Sequence, residues 1–145
     1  MEFINRIIHA LAELHPLHPM LVHFPIALTG AGALLILLAA WRRKTAFEQA
    51  AFFNLTLAAL GTLAAGITGI RDNVMNYDSA APNSHTKVLL AFVLFLITST
   101  TAIARWRNPN LFESRAKPFY IAAYLVSFAI VLILAFLGGV ILYGF

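Results

Sequence analysis

Met20-Leu21-Val22-His23-Phe24-Pro25-Ile26-Ala27-Leu28-Thr29-Gly30-Ala31-Gly32-Ala33-Leu34-Leu35-Ile36-Leu37-Leu38-Ala39-Ala40-Trp41 decides the class of this chain. The run holds no Asp, Glu, Lys or Arg. As a helix rising 1.5 Å per residue it reaches about 30 Å, the thickness of a bilayer's hydrocarbon core. Three further runs are long and apolar enough to do the same, from about Phe47 to Ile70, His85 to Ala104 and Pro118 to Tyr143. The composition agrees. The chain of 145 residues is 61% hydrophobic and 11% charged, where soluble domains average roughly 45–50% and 25%. A small water-soluble core cannot hide that much apolar surface. The connections between spans are short except for Arg71–Ser84, which predicts an all-α, up-down-up-down four-helix bundle integral to the membrane over residues 15–145.

Residues 1–14 read differently. Phe3, Ile4, Ile7, Ile8, Leu11 and Leu14 recur at spacings of three and four, with Glu2, Asn5, Arg6, His9 and Glu13 between them. That is an amphipathic helix lying in the membrane interface, or one packed against a partner subunit. With acids present and no gathered apolar core, the segment is not expected to be a cleaved signal peptide.

Charge sets the expected orientation. Arg42, Arg43 and Lys44 lie between spans one and two, and Arg105, Arg107, Arg115 and Lys117 between spans three and four. These mark one face as cytoplasmic and put both termini, the histidine cluster and the Arg71–Ser84 loop outside. Because the basic residues flank apolar spans and form no continuous patch, nucleic acid is not an expected partner. The chain has no cysteine, which excludes disulfides, cysteine-held iron–sulfur clusters and covalent haem attachment, and leaves a histidine-held b-type haem open. It also lacks a nucleotide-binding glycine loop and a nucleophile elbow, so an electron-transfer role is favoured over a stand-alone enzyme.

The chemistry gathers where span one begins, at His15-Pro16-Leu17-His18-Pro19-Met20-Leu21-Val22-His23-Phe24-Pro25. Imidazole is the commonest protein ligand for metals and haem iron, and polar side chains inside a bilayer are costly. His23 opens span one and His85 opens span three. In an up-down-up-down bundle these spans are diagonal, so the two imidazoles are expected to face each other across the core and clamp haem iron from both sides. Arg71 and Lys87 would pair with the haem propionates, Asp72 would fix a histidine tautomer, and His18 would ligate a second site or bond a propionate.

Pro25 is expected in the first turn of its helix, where its missing N–H costs nothing. The stripes Ala27, Gly30, Ala31, Gly32 and Gly61, Ala65, Gly69 suit close helix packing or a flat macrocycle. Asn54, Thr56, Thr62, Thr68 and Thr98 to Thr101 read as structural, bonding between helices or back to their own turns. His9 reads as a surface residue and His15 as a terminator at the interface. No span is expected to bury an Asp, Glu, Lys or Arg, which argues against a carboxylate proton relay or an ion pump. A weak echo relates His23…Trp41-Arg42-Arg43 to His85…Arg105-Trp106-Arg107 and fits duplication of a helix pair.

His18-Pro19-Met20-Leu21-Val22-His23-Phe24-Pro25-Ile26-Ala27-Leu28, with Gly69-Ile70-Arg71-Asp72 and His85 following in order, resembles the bacterial membrane family catalogued as domain of unknown function 2231. The resemblance runs from about His15 to the end. It implies a four-span inner-membrane protein. Because some family members are joined to Rieske or c-type cytochrome modules, it also implies a redox role, carried to His18, His23, Asp72 and His85 by motif position.

Three readings follow. The first is a small b-type cytochrome, with His23 and His85 as axial ligands near the outer face. It would pass electrons between a quinol or dehydrogenase and a periplasmic acceptor. The second collects copper or zinc on His15, His18, His23 and His85, with Asp72. The third is a cofactor-free structural subunit of a larger membrane complex. Oligomerisation stays open in all three.

Overall fold

The computed structural model describes residues 2–9 and 17–143. Helix α1 (Glu2–His9) has Glu2 and Arg6 paired one turn apart at 3.7 Å, with Phe3 and Ile4 exposed. The rest of the expected amphipathic segment lies outside the described residues. Four long helices follow: α2 (Leu17–Arg42), α3 (Thr45–Tyr77), α4 (Ser84–Arg107) and α5 (Lys117–Tyr143), with a single 3-10 turn at Leu111–Glu113 before α5. Each of the four is long and apolar enough to cross a membrane. Neighbours in sequence pack side by side and α5 closes back on α2, so α2 and α4 are diagonal, as are α3 and α5. No strand occurs among the described residues.

The inward faces follow a three-and-four spacing. On α2 the buried positions are Pro25, Thr29, Gly32, Ala33, Ile36 and Ala39; on α3 they are Glu48, Ala51, Leu55, Ala58, Ala59, Thr62, Ala65 and Asp72. On α4 they are Leu94, Thr98 and Ala102, and on α5 Tyr120, Tyr124, Ser127 and Val131. This is the seam of a bundle with nearly antiparallel helices. Most buried positions are small, because van der Waals contact drives association in lipid and is greatest where backbones approach closely. Phe24, Leu34, Phe53, Leu60, Ile67, Phe92, Phe119 and Phe136 point outward instead. A soluble protein would not tolerate that exterior; a bilayer is matched by it. Trp41 and Trp106 are exposed near the basic end, with the Arg42 guanidinium 4.4 Å over the Trp41 ring.

Two expectations are corrected here, and one open choice is decided. Helix α2 starts at Leu17, so Pro25 sits inside it, beyond the first turn, and Pro19 takes the first-turn place where a missing N–H costs nothing. Pro25 is tolerated inside because its ring packs inward on Gly61, where an added Cβ would lie 3.2 Å from Pro25 Cδ. Thr29 just beyond it donates its hydroxyl back to the Pro25 carbonyl.

Helix α3 runs past Arg71–Asp72 to Tyr77, leaving a loop of only 78–83. The charged pair does not stop the helix because Asp72 is buried and partnered. The helix ends further on, where Asn73 collects the loop: its carbonyl accepts the N–H groups of Asp78 and Ser79, and its side chain that of Ala81. Finally, the small stripe on α3 is already filled. Gly61 receives Pro25, and Gly69 receives the His18 ring at 3.0 Å from an added Cβ. The stripe is a helix-packing surface, and no macrocycle fits where those rings lie.

Gly69→Ala should therefore overpack the α2–α3 contact and cost about 1–3 kcal/mol. Gly66→Ala, whose Cβ would meet nothing within 4 Å, should leave stability unchanged. Thermal unfolding of the two variants in the same detergent checks both; equal midpoints would remove His18 from the interface.

Candidate functional site

At the histidine-rich end, α2 begins against the last turns of α3. The first N–H groups of a helix have no partner within it. The His18 N–H finds one in Asp72 Oδ2 at 3.0 Å, and Asp72 Oδ1 accepts from Arg71 Nη1 at 3.2 Å. A carboxylate from one helix thus caps the positive end of its neighbour, a favourable arrangement of charge and dipole. The His18 ring turns inward as well, with Nδ1 2.9 Å from the Ala65 carbonyl. A carbonyl only accepts, so Nδ1 carries the proton, and in the neutral ring Nε2 keeps its lone pair. Lys87, half-buried on α4, and Asp72 both act electrostatically on this ring.

The structure brings His18, Asp72, Arg71 and Lys87 together, but it rearranges their expected roles. Asp72 takes the backbone N–H of His18, while the histidine tautomer is fixed by the Ala65 carbonyl. His23 lies five residues beyond His18, roughly 140° round the helix, and is exposed. Its Nδ1 bonds the Pro19 carbonyl one turn back, which again leaves Nε2 without a proton in the neutral ring. His85 is exposed in the first turn of α4. The expectation that His23 and His85 face each other across the core is thus corrected: the inward positions at this end belong to His18 and Lys87, and both other imidazoles point outward. His15 lies outside the described residues, as does the side chain of His9.

A second polar cluster occupies the opposite, basic end, where no buried charge was expected. Glu48 on α3 is 3% exposed. Arg105 on α4 grips it with both arms, Nε to Oε1 at 2.6 Å and Nη2 to Oε2 at 2.8 Å. From α5 the Tyr120 hydroxyl donates to Glu48 Oε1 at 3.0 Å and lies 3.0 Å from the Tyr124 hydroxyl. The two phenol rings meet edge to face, their centroids 5.2 Å apart. A planar guanidinium matches a carboxylate in two parallel bonds, which makes this the strongest kind of ion pair a helix bundle can hold.

Sequence reading missed this cluster by counting Arg105 only as a marker of orientation. The signal available was the spacing of Glu48, Ala51, Leu55, Ala58 and Thr62, which puts the acid on the inner seam. By contrast, Asn54, Thr56, Thr62, Thr68 and Thr98 each bond the carbonyl four residues back, the structural role expected of them. Ser127 Oγ, one turn beyond Tyr124, is the single buried side-chain polar atom without a partner among the described residues.

Comparison with known proteins places the chain. The family model described as "Predicted membrane protein (DUF2231)" matches residues 14–145, and the chain belongs to that family. No curated protein and no solved structure matches it.

The geometry of the basic end ranks its variants. Glu48→Gln leaves the Arg105 charge half-answered in a buried place and should cost about 3–5 kcal/mol. Tyr120→Phe removes one neutral donor and should cost about 1–2 kcal/mol. Exchanging both charged partners, Glu48→Leu with Arg105→Met, should recover most of the loss. A double-mutant cycle on thermal unfolding in detergent measures this, and additive losses would show that the pair is not coupled.

Proposed function

We propose that this DUF2231 protein is a membrane electron-transfer protein whose histidine-rich end ligates the iron of a b-type haem through His23. His85 opens the diagonal helix α4 and faces outward, so within one chain it does not reach the same iron. The observation that carries the reading is the anchoring of His23: Nδ1–H is held by the Pro19 carbonyl, and Nε2 faces outward on an exposed side chain. A ligating imidazole needs that arrangement, one nitrogen fixed by a hydrogen bond and the other free.

The donor fits the group, whereas the core does not. With His18 and Pro25 filling the small-residue stripe, the group belongs on the outer surface of the bundle. There Met20 and Phe24 are exposed beside His23, with Ala27 one turn below. Arg71 at the same end would answer a propionate, while Lys87, turned inward beside His18, would not. The haem supplies one-electron carriage when bound; the chain supplies ligation, charge and an apolar bed. The basic loops favour the cytoplasm, so this end would face outward, between a quinol or dehydrogenase and a periplasmic acceptor. A haem can be held by a single protein ligand, whereas bare copper or zinc needs three or four. The described residues, which do not include His15, contain no group of three or more His, Asp or Glu able to hold an ion.

One observation favours the cofactor-free structural subunit as a second reading. His18 and Asp72 are both engaged in closing α2 onto α3, so part of the motif is explained by assembly alone.

An absorption spectrum of the purified protein, before and after dithionite, separates the readings. The haem reading expects a Soret band that sharpens on reduction, lost in His23→Ala and kept in His85→Ala. His18→Ala should lower the unfolding temperature and spare the Soret band. A featureless visible spectrum from cells supplied with haem would leave the structural reading standing.

A further inference from the structure

At the basic end a cavity of about 340 Å³ opens between the α2–α3 link and the start of α5, lined by Arg43, Thr45, Phe112, Glu113 and Lys117. Its charged groups come from three separate segments. Arg43 stands in the link between α2 and α3, Glu113 in the 3-10 turn, and Lys117 at the first position of α5. Lys117 is held in place, its Nζ 4.4 Å over the Phe112 ring. Thr45 opens α3, whose N-cap residue Lys44 makes no side-chain cap bond. Among the described residues Glu113 makes no ion pair with either cation. Two cations, a hydroxyl and one carboxylate thus surround a single cavity without closing on one another.

We propose that this cavity binds the headgroup of an aminophospholipid. The phosphate would lie between Arg43, Lys117 and the Thr45 hydroxyl, where guanidinium, ammonium and the start of α3 all favour an anion. The ammonium of an ethanolamine headgroup would take Glu113 as its acceptor. The carboxylate is what selects the ligand. It repels a bare phosphate and offers a glycerol headgroup only hydrogen bonds from neutral hydroxyls, while an ammonium with three N–H donors answers its charge as well. The cavity also stands at the right depth, at the end of the bundle where Trp41, Arg42 and Trp106 mark the headgroup layer.

The test is native mass spectrometry of the full chain released from micelles. The micelles carry equal amounts of phosphatidylethanolamine, phosphatidylglycerol and phosphatidylcholine with identical acyl chains. Wild type should retain phosphatidylethanolamine over the other two. Glu113→Gln should reduce that preference by about three- to fivefold, the scale of one interfacial ion pair, while Glu113→Asp keeps it. The double variant Arg43→Gln/Lys117→Gln should lose retention of all phospholipids by at least that factor. Arg43 and Glu113 are exposed, so their variants should keep the parent's unfolding temperature, and changed retention then reads as a lost contact. Equal retention of the three lipids by wild type, or a preference untouched by Glu113→Gln, would overturn the proposal. So would inorganic phosphate displacing the lipid as well as soluble phosphoethanolamine does, because the site would then read phosphate alone.

Discussion

A carboxylate in hydrocarbon without partners costs several kcal/mol, and α3 carries two on its inner seam, Glu48 near one end and Asp72 near the other. Each is answered by other helices. Asp72 draws in the first turn of α2 through the His18 N–H. Glu48 draws in Arg105 from α4 and Tyr120 from α5. Every other membrane-spanning helix is thus tied to α3 by a polar bond at one of its ends, and the middle of the bundle is left to small residues, short hydroxyls and aliphatic side chains such as Leu94 and Val131. Apolar contact alone discriminates poorly between partners in lipid, since acyl chains are as apolar as leucine. The two acids supply the direction that the apolar surface lacks.

The same economy explains the histidine-rich motif. Its imidazoles divide by helical phase. His18 falls on the inward seam and becomes part of the α2–α3 contact, seated on Gly69 and bonded to Ala65. His23 falls on the far side and bonds only its own helix. One segment therefore carries both a clasp and an exposed, pre-oriented imidazole. Pro19 connects them: it occupies the first turn of α2 and gives its carbonyl to His23.

The two ends of the bundle also differ in kind. At the histidine-rich end, charge is compact and a helix terminus is capped. At the basic end the interior pair is sealed, while Arg43, Lys117 and Glu113 stay open around a cavity. Sealed charges fix the fold; open ones are available to headgroups and partners.

The class, the four spans, their alternation and the segment where imidazoles collect are all legible in the chain's linear order. These depend on apolar run length, on short connections and on residue type, all of which are local. The sequence singled out Asp72 as the acceptor for a ligating histidine's ring, whereas the chain gives that carboxylate the backbone N–H of His18. Tertiary structure decided what depends on phase and on neighbours. The first span starts three residues earlier than its apolar run suggests, and that shift puts Pro25 inside a helix. Whether His23 faces the core or the lipid is a matter of about 140° of rotation, fixed only by which side of α2 meets α3. Glu48 looks like an ordinary interfacial acid until Arg105 and Tyr120, far away in the chain, are brought to it. No local pattern encodes that meeting, because the cost of burying a charge is set by its partners and not by its own position in the sequence.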